Sequence, residues 1–288
     1  KPGSPALRAF VEGDFWSDGN QFRLRHAYLN VGGFLIGQTW TTISFLESVP
    51  YMIDFAAGDA LFGGRTTQVR YTHSMSDKWK VAIGVEEVSF LGIGNPFGLP
   101  GEAKRELPLV AVRSDYRWDD GVLFLGASIN QLHWDGKESG QSDDALQYDF
   151  VVAGRQEIGS DNYISWNVSY GEGSGENILA FAGTNANAVL NADGKLETIP
   201  AFSVMVGGGH EWNSEWASNL SYAYGWLDTP DARDPLALKR AGIGHVNLIW
   251  HPVKQFSTGI EYMWGTKRAQ NDALGSAERL QFMGRFDF

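Results

Sequence analysis

The chain contains no cysteine, which excludes a disulfide framework and a thiolate metal centre. It has no apolar run near the ~18 residues that a membrane-crossing helix needs. Basic residues are few: 23 Lys and Arg stand against 34 Asp and Glu, giving a net charge of −11 and a pI of about 5.0. That balance argues against nucleic acid as a partner. No signal-peptide pattern opens the chain at Lys1-Pro2-Gly3-Ser4-Pro5, so a leader, if one was made, has been removed. Helical periodicity is poor nearly everywhere.

Catalytic and metal motifs are scarce as well. His26, His73, His133, His210, His245 and His251 fall on different strands with no short-range motif. His245 could meet a Ser or Asn on a neighbouring strand, but nothing in the spacing singles that out. Gly171-Glu172-Gly173-Ser174-Gly175 lacks the Lys and the strand-to-helix context of a phosphate loop or nucleophile elbow. It reads as a flexible outside loop. No metal-ligand spacing stands out, and no cofactor is implied.

What the chain has is glycine (35), tryptophan (11) and an aromatic content of 13% in 288 residues. These sit in short segments of period-two alternation, which place successive side chains on opposite faces of a strand. At the C-terminal end Leu280, Phe282, Phe286 and Phe288 oppose Arg279, Gln281, Met283, Arg285 and Asp287. The same split gives Val110, Val112 and Tyr116 against Arg113, Asp115 and Arg117, and Tyr148, Phe150 and Val152 against Asp149 and Arg155. One segment is blurred, because Val122 and Phe124 share the face of Ser128 and Asn130. Fourteen strands are legible. Short turns such as Gly32-Gly33, Asp119-Asp120-Gly121 and Asn213-Ser214 alternate with long links at 43–65, 91–106, 135–144, 171–198, 227–238 and 267–277. Trp79, Trp118, Trp134, Trp212, Trp226 and Trp250 lie near strand ends, where a membrane barrel carries its aromatic girdles. A soluble β-sandwich also alternates, but it does not require a strict short–long rhythm of links. The pattern predicts an all-β, transmembrane antiparallel up-and-down β-barrel, a single barrel domain over residues 1–288.

The pattern breaks once with apolar content. Residues 43–64 form a long irregular segment carrying Glu47, Asp54 and Asp59 among apolar residues and Pro50. We read it as a loop folded into the barrel. The polar faces of the strands supply Arg23, Arg25, Arg70, Lys80, Arg113, Arg117, Arg155, Arg279 and Arg285. Acids on an inward loop opposite a wall of cations would set a transverse field, and rings of Arg or Lys favour anions in a narrow pore. Local pairing, Arg113 with Asp115 for example, is the plainer account of any one charge.

Three early blocks, Val11-Glu12-Gly13-Asp14-Phe15-Trp16, Arg23-Leu24-Arg25-His26-Ala27-Tyr28 and Gly37-Gln38-Thr39-Trp40-Thr41-Thr42, resemble the opening half of DcaP-like trimeric outer-membrane porins. Asp193-Gly194-Lys195-Leu196-Glu197-Thr198-Ile199-Pro200 and the terminal Phe288 fit the same family. The resemblance implies a barrel of roughly sixteen strands, of which the first two are missing here. The third outside loop would fall at 43–64 and narrow the lumen. It further implies a homotrimer in the lipid bilayer and lipopolysaccharide of a Gram-negative outer membrane, with early strands packed together near Gly33–Trp40. The implied function is passive diffusion of small hydrophilic solutes, anionic ones such as dicarboxylates. The chain is not expected to be an enzyme. A barrel lipase or protease, or a plugged surface or adhesin barrel, remains the alternative from the residues alone.

Overall fold

The computed structural model describes residues 7–15, 18–54, 61–87 and 90–288. Its strands are β1 (Leu7–Asp14), β2 (Arg23–Val31), β3 (Phe34–Trp40), β4 (Arg65–Ser74), β5 (Trp79–Glu86), β6 (Ile93–Gly94), β7 (Glu102–Lys104), β8 (Leu109–Trp118) and β9 (Gly121–Asp135). They continue as β10 (Asp143–Ile158), β11 (Asn162–Glu172), β12 (Ala188–Leu190), β13 (Leu196–Thr198), β14 (Pro200–Glu211), β15 (Trp216–Leu227), β16 (Leu238–Val253), β17 (Phe256–Ala269) and β18 (Leu274–Phe286). The barrel wall runs β1-β2-β3-β4-β5-β8-β9-β10-β11-β14-β15-β16-β17-β18, every neighbour antiparallel. Those are the fourteen strands expected. Among the described residues β1 and β18 stand at the two ends of this hydrogen-bonded order. Outside the wall order, β13, β12 and β6 make a small separate sheet, and β7 pairs with β9.

The wall is inside-out relative to a soluble protein. On β10, Gln147 and Asp149 are buried while Phe150 and Val152 are exposed. On β11 and β15 the fully buried side chains include Asn167 and Ser221, and Ile164, Leu220 and Tyr222 lie outside. Lipid is the environment in which that arrangement is stable, because each strand satisfies its backbone laterally and presents only apolar surface outward. At the short-turn end a ring of tryptophans closes the apolar band. Trp79 donates its indole N–H to Ser114, Trp118 to Gln156, Trp212 to Ser218 and Trp250 to Glu215, the amphipathic placement that suits a membrane interface.

Three expectations are corrected. Trp134 is no rim residue: it points inward, 5% exposed, and packs with Ile93, Leu132 and Leu190. The last link is short, residues 270–273, because β17 and β18 continue pairing to Arg268–Leu274. The Gly171–Gly175 stretch is no loose outside loop, since Gly171, Gly173, Ser174 and Gly175 are buried. It turns inward at Gly173 (φ 74°), and a Cβ on Gly175 would lie 2.3 Å from the Ala186 carbonyl oxygen. Glycine is there because the backbones touch.

Inward folding of the long links also explains the blurred strand. Val122 and Phe124 face the lumen yet are apolar, because the loop after β3 and the segment 173–199 pack on them. Together they bury Ile43, Phe45, Phe62, Val122, Phe124, Val151, Ile178, Phe181 and Leu227 in one cluster. Phe45 stacks on Phe124 with centroids 4.9 Å apart and planes at 18°.

Candidate functional site: the lumen and its inward loop

The segment joining β3 to β4 lies in the lumen, as expected, and touches the wall strand by strand. Thr42 donates its backbone N–H to Glu86 of β5 at 2.7 Å, and Thr66 donates its hydroxyl to the other oxygen of the same carboxylate. Glu47 pairs with Arg117 of β8. Asn167 of β11 donates to Ser48 at 3.3 Å. Pro50 rests on Gly207 of β14, where a Cβ would lie 2.2 Å from its ring; only glycine admits the loop this close. Tyr51 donates its N–H to the Tyr163 hydroxyl, and its carbonyl accepts from Asn247 of β16. Ile53 and Asp54 donate their N–H groups to the two oxygens of Glu261 on β17, at 2.8 and 3.0 Å. Asp54 then reaches Arg279 of β18 at 3.7 Å.

Glu261 is fully buried and also accepts from Asn247 and faces His245 Nδ1 at 3.2 Å. In the sequence Glu261 alternates with Ile260 and Tyr262 and so belongs to a polar face, but nothing there gives it a role. A carboxylate in mid-strand with no basic neighbour at strand spacing was the available signal, because a buried acid must find donors somewhere. Ser221 is the cross-strand neighbour of His245, so Ser, His and Glu adjoin here. The Ser221 hydroxyl and His245 Nε2 make no hydrogen bond within the described residues, and both side chains are sealed from solvent. Of the three, Glu261 holds the loop, and the sealed trio has no access for a substrate.

Most of the expected pore cations carry a partner. The register of β1 and β2 slips between Glu12 and Gly13, leaving Arg25 without a Cα partner; this bulge turns Arg23 and Arg25 to the side of Glu12, Asp14 and His26. Arg23 binds Asp14 and Arg25 binds both Glu12 and Asp14. Arg113 grips Asp115 with two donors and lies 4.8 Å from the centre of the Phe124 ring. Arg155 pairs with Glu157 and lies 3.6 Å from the centre of the Tyr163 ring. Arg285 pairs with Asp287. Arg70 and Lys80 have no ion pair among the described residues. Two of the three loop acids, Glu47 and Asp54, sit directly on wall cations, which replaces a field across open water by contact pairs. Asp59 lies outside the described residues.

Among the described residues, the loop's contacts with the wall run from Glu86 on β5 to Arg279 on β18. Beneath the loop, toward the short turns, a cavity of about 380 Å³ is lined by Tyr51, Arg155, Tyr163, His210, Lys254 and Arg285 among others. Above it, the segments 173–199 and 228–237 form a cap. Glu176 there accepts the Asn185 N–H, while burial pushes its carboxyl above the ordinary range. Arg233, also buried, donates to the Leu238 and Thr184 carbonyls.

One set of side chains could gather around a cation: Glu106, His133 and Asp144 lie within 4.8 Å of one another. Each nitrogen of the His133 ring already faces a carboxylate, Asp144 at 2.7 Å and Glu106 at 3.3 Å. His133 and Asp144 are cross-strand partners, so the ring is already held between the two carboxylates on the outward face of β9.

Comparison with known proteins agrees with this geometry. The family model for DcaP outer membrane protein matches residues 6–288. The crystal structure of the outer membrane channel DcaP of Acinetobacter baumannii superposes with a TM-score of 0.87 at 20% identity, over 100% of this chain and 82% of that one. OmpT, an outer membrane protein of Vibrio cholerae crystallised in a trimer form, gives 0.61 at 16% identity over 99% of this chain and 86% of that one. The anion-selective porin from Comamonas acidovorans gives 0.63 at 11% identity over 99% and 84%. No curated protein sequence matches. These likenesses are to channels and porins, and at such identities the structural ones speak for the fold. The family match spans nearly the whole chain, and the protein therefore belongs to the DcaP outer membrane protein family, an outer-membrane porin fold of Gram-negative bacteria.

Proposed function

We propose that the protein is a passive diffusion pore for small hydrophilic solutes, with a preference for anions such as dicarboxylates, and that it works as a homotrimer. The observation that carries the reading is the loop itself. It is pinned inside the wall from Glu86 to Arg279 and so narrows a water-filled lumen without being part of the wall. Cations support the anion preference: Arg70 and Lys80 are unpaired among the described residues, and Arg279 and Arg285 keep more than half of their side-chain surface open to water (62% and 52%). Arg155 and Arg285 line the same cavity below the loop, and a planar guanidinium matches a carboxylate with two parallel hydrogen bonds. A solute with two carboxylates would exchange for Glu157 and Asp287 on this pair of forks.

The test is a planar lipid bilayer with a salt gradient. Stepwise conductance with a reversal potential on the anion side is expected. Silence would turn the reading toward a plugged surface barrel, and a cation-side potential would end the anion preference while leaving the pore. Lipid or peptide hydrolysis by the folded protein would favour the enzymatic alternative, for which the sealed Ser221 and His245 offer no support.

A further inference from the structure

The long-link end of β16 and β17 carries a cationic patch on the membrane side that the pore does not use. Arg240 and Arg268 are direct cross-strand partners. Arg240 is in turn the partner of Trp226 on β15, and Arg268 of Leu274 on β18. This row faces outward: the rows below it on the same face hold Tyr222 and Trp264, then Val246 and Tyr262, all exposed. The register slips between Leu238 and Arg240, so Lys239 is an extra residue beside the pair. A groove of about 270 Å³ is lined by Tyr224, Arg240, Gly242, Thr266, Lys267 and Arg268.

Arg240 and Arg268, with Lys239 beside them, thus gather cations on the outer face of a chain whose net charge is −11; Lys267, opposite Ala241, takes the other face. The carboxylate that answers them is Asp272, 3.2 Å from Arg268. Arg240 has no ion pair among the described residues. Like charges directly opposite in a sheet repel, and the repulsion is relieved by an anion placed between them. The indole N–H of Trp226, in the same row, also lacks an acceptor within the described residues. Immediately below runs the apolar band, Val246, Leu248, Ile260 and Tyr262.

A ligand with a phosphate at the top and hydrocarbon beneath satisfies both halves. The long links of an outer-membrane barrel face the exterior, so this patch meets the outer leaflet. We propose that the outer ends of β16 and β17 dock a phosphorylated glycolipid of that leaflet, its phosphate held between Arg240 and Arg268 and its acyl chains lying over Val246 and Tyr262. The inference rests on the orientation that family membership gives the barrel and is independent of what passes through the lumen.

Native mass spectrometry of the full chain folded in detergent tests it, with bisphosphorylated lipid A, the same lipid without phosphates, and inorganic phosphate as probes. The wild type is expected to retain bisphosphorylated lipid A about tenfold better than the dephosphorylated lipid, the loss that goes with roughly one charge-assisted hydrogen bond. The double variant Arg240→Ala, Arg268→Ala is expected to lose that difference, while Lys78→Ala at the short-turn end keeps it. Millimolar inorganic phosphate should not displace the lipid. Equal retention of both lipids by the wild type overturns the proposal without any variant. Retention unchanged in the double variant overturns it too, and displacement by inorganic phosphate points to a free-anion site instead. Conductance of the same preparations reports the pore separately.

Discussion

Glu261 accepts the backbone N–H of Ile53 at 2.8 Å across 208 residues of sequence. Its second oxygen takes the next N–H, of Asp54, at 3.0 Å, so one buried carboxylate clamps the inner end of the loop. Glu261→Gln would set an amide N–H₂ against one of the two backbone donors, whichever oxygen it replaces, and leaving a buried donor unmet costs roughly 1–3 kcal/mol. The expected result is a noisier channel with larger and more variable single-channel conductance, from a barrel that still folds. Recordings indistinguishable from wild type would remove Glu261 from its role as the clamp.

Phe45 anchors the other end. It is 2% exposed and stacked on Phe124. Phe45→Ala should lower stability by about 3–5 kcal/mol, as for other buried aromatics cut to alanine, read as a lower midpoint in the heat-induced shift of electrophoretic mobility. A midpoint unchanged from wild type would mean that the apolar cluster behind the loop does not hold it.

Charge removal separates paired from unpaired cations. Lys80→Ala and Arg70→Ala each subtract a charge that has no ion pair among the described residues. One charge about 10 Å from the solute path in water is worth roughly 0.4 kcal/mol, or about twofold in the anion-to-cation permeability ratio. Arg113→Ala with Arg117→Ala should move the reversal potential the same way by exposing Asp115 and Glu47. If the reversal potential stays fixed in all of these variants, the cations do not set selectivity.

The trimer has its own test. Phe34 and Ile36 point outward and are 45% and 48% exposed in the single chain. Because the chain has no native cysteine, single cysteines at 34 and 36 are clean probes. Crosslinking in membranes should yield species larger than a monomer, and monomers alone would place the subunit contact elsewhere or nowhere.

The cap responds to pH through Glu176. Burial holds its carboxyl above the ordinary carboxylate value, so the folded cap binds that proton more tightly than the unfolded segment does. Its contribution to cap stability is fully present below the ordinary value and is lost as pH rises through that value to the raised one. Amide-exchange protection of 173–199, corrected for intrinsic rates, should fall as pH rises above the ordinary carboxylate value, and Glu176→Gln should flatten the fall. An equal slope in the variant would assign the effect to another group.

Strand period, strand count and the inward loop were legible because each is local: alternation needs a few residues, and the loop announces itself by apolar content between two turns. The polar row of Asn167, Ser221, His245 and Glu261 looked like wet lumen, because nothing in β11, β15, β16 or β17 says that residues 48–54 will cover it. Trp134 looked like a girdle residue for the same reason; its neighbours Ile93 and Leu190 come from links with no strand pattern of their own. The partners of the polar-face cations were not legible, since Arg117 meets Glu47 and Arg279 meets Asp54 only once the loop is in place.

The bridge between Phe62 and Ile178 joins the loop to the cap by backbone contact, and Gly63 donates to the Asn177 carbonyl beside it. Loop and cap are therefore a single hydrogen-bonded body rather than two independent lids, so whatever loosens one is felt by the other.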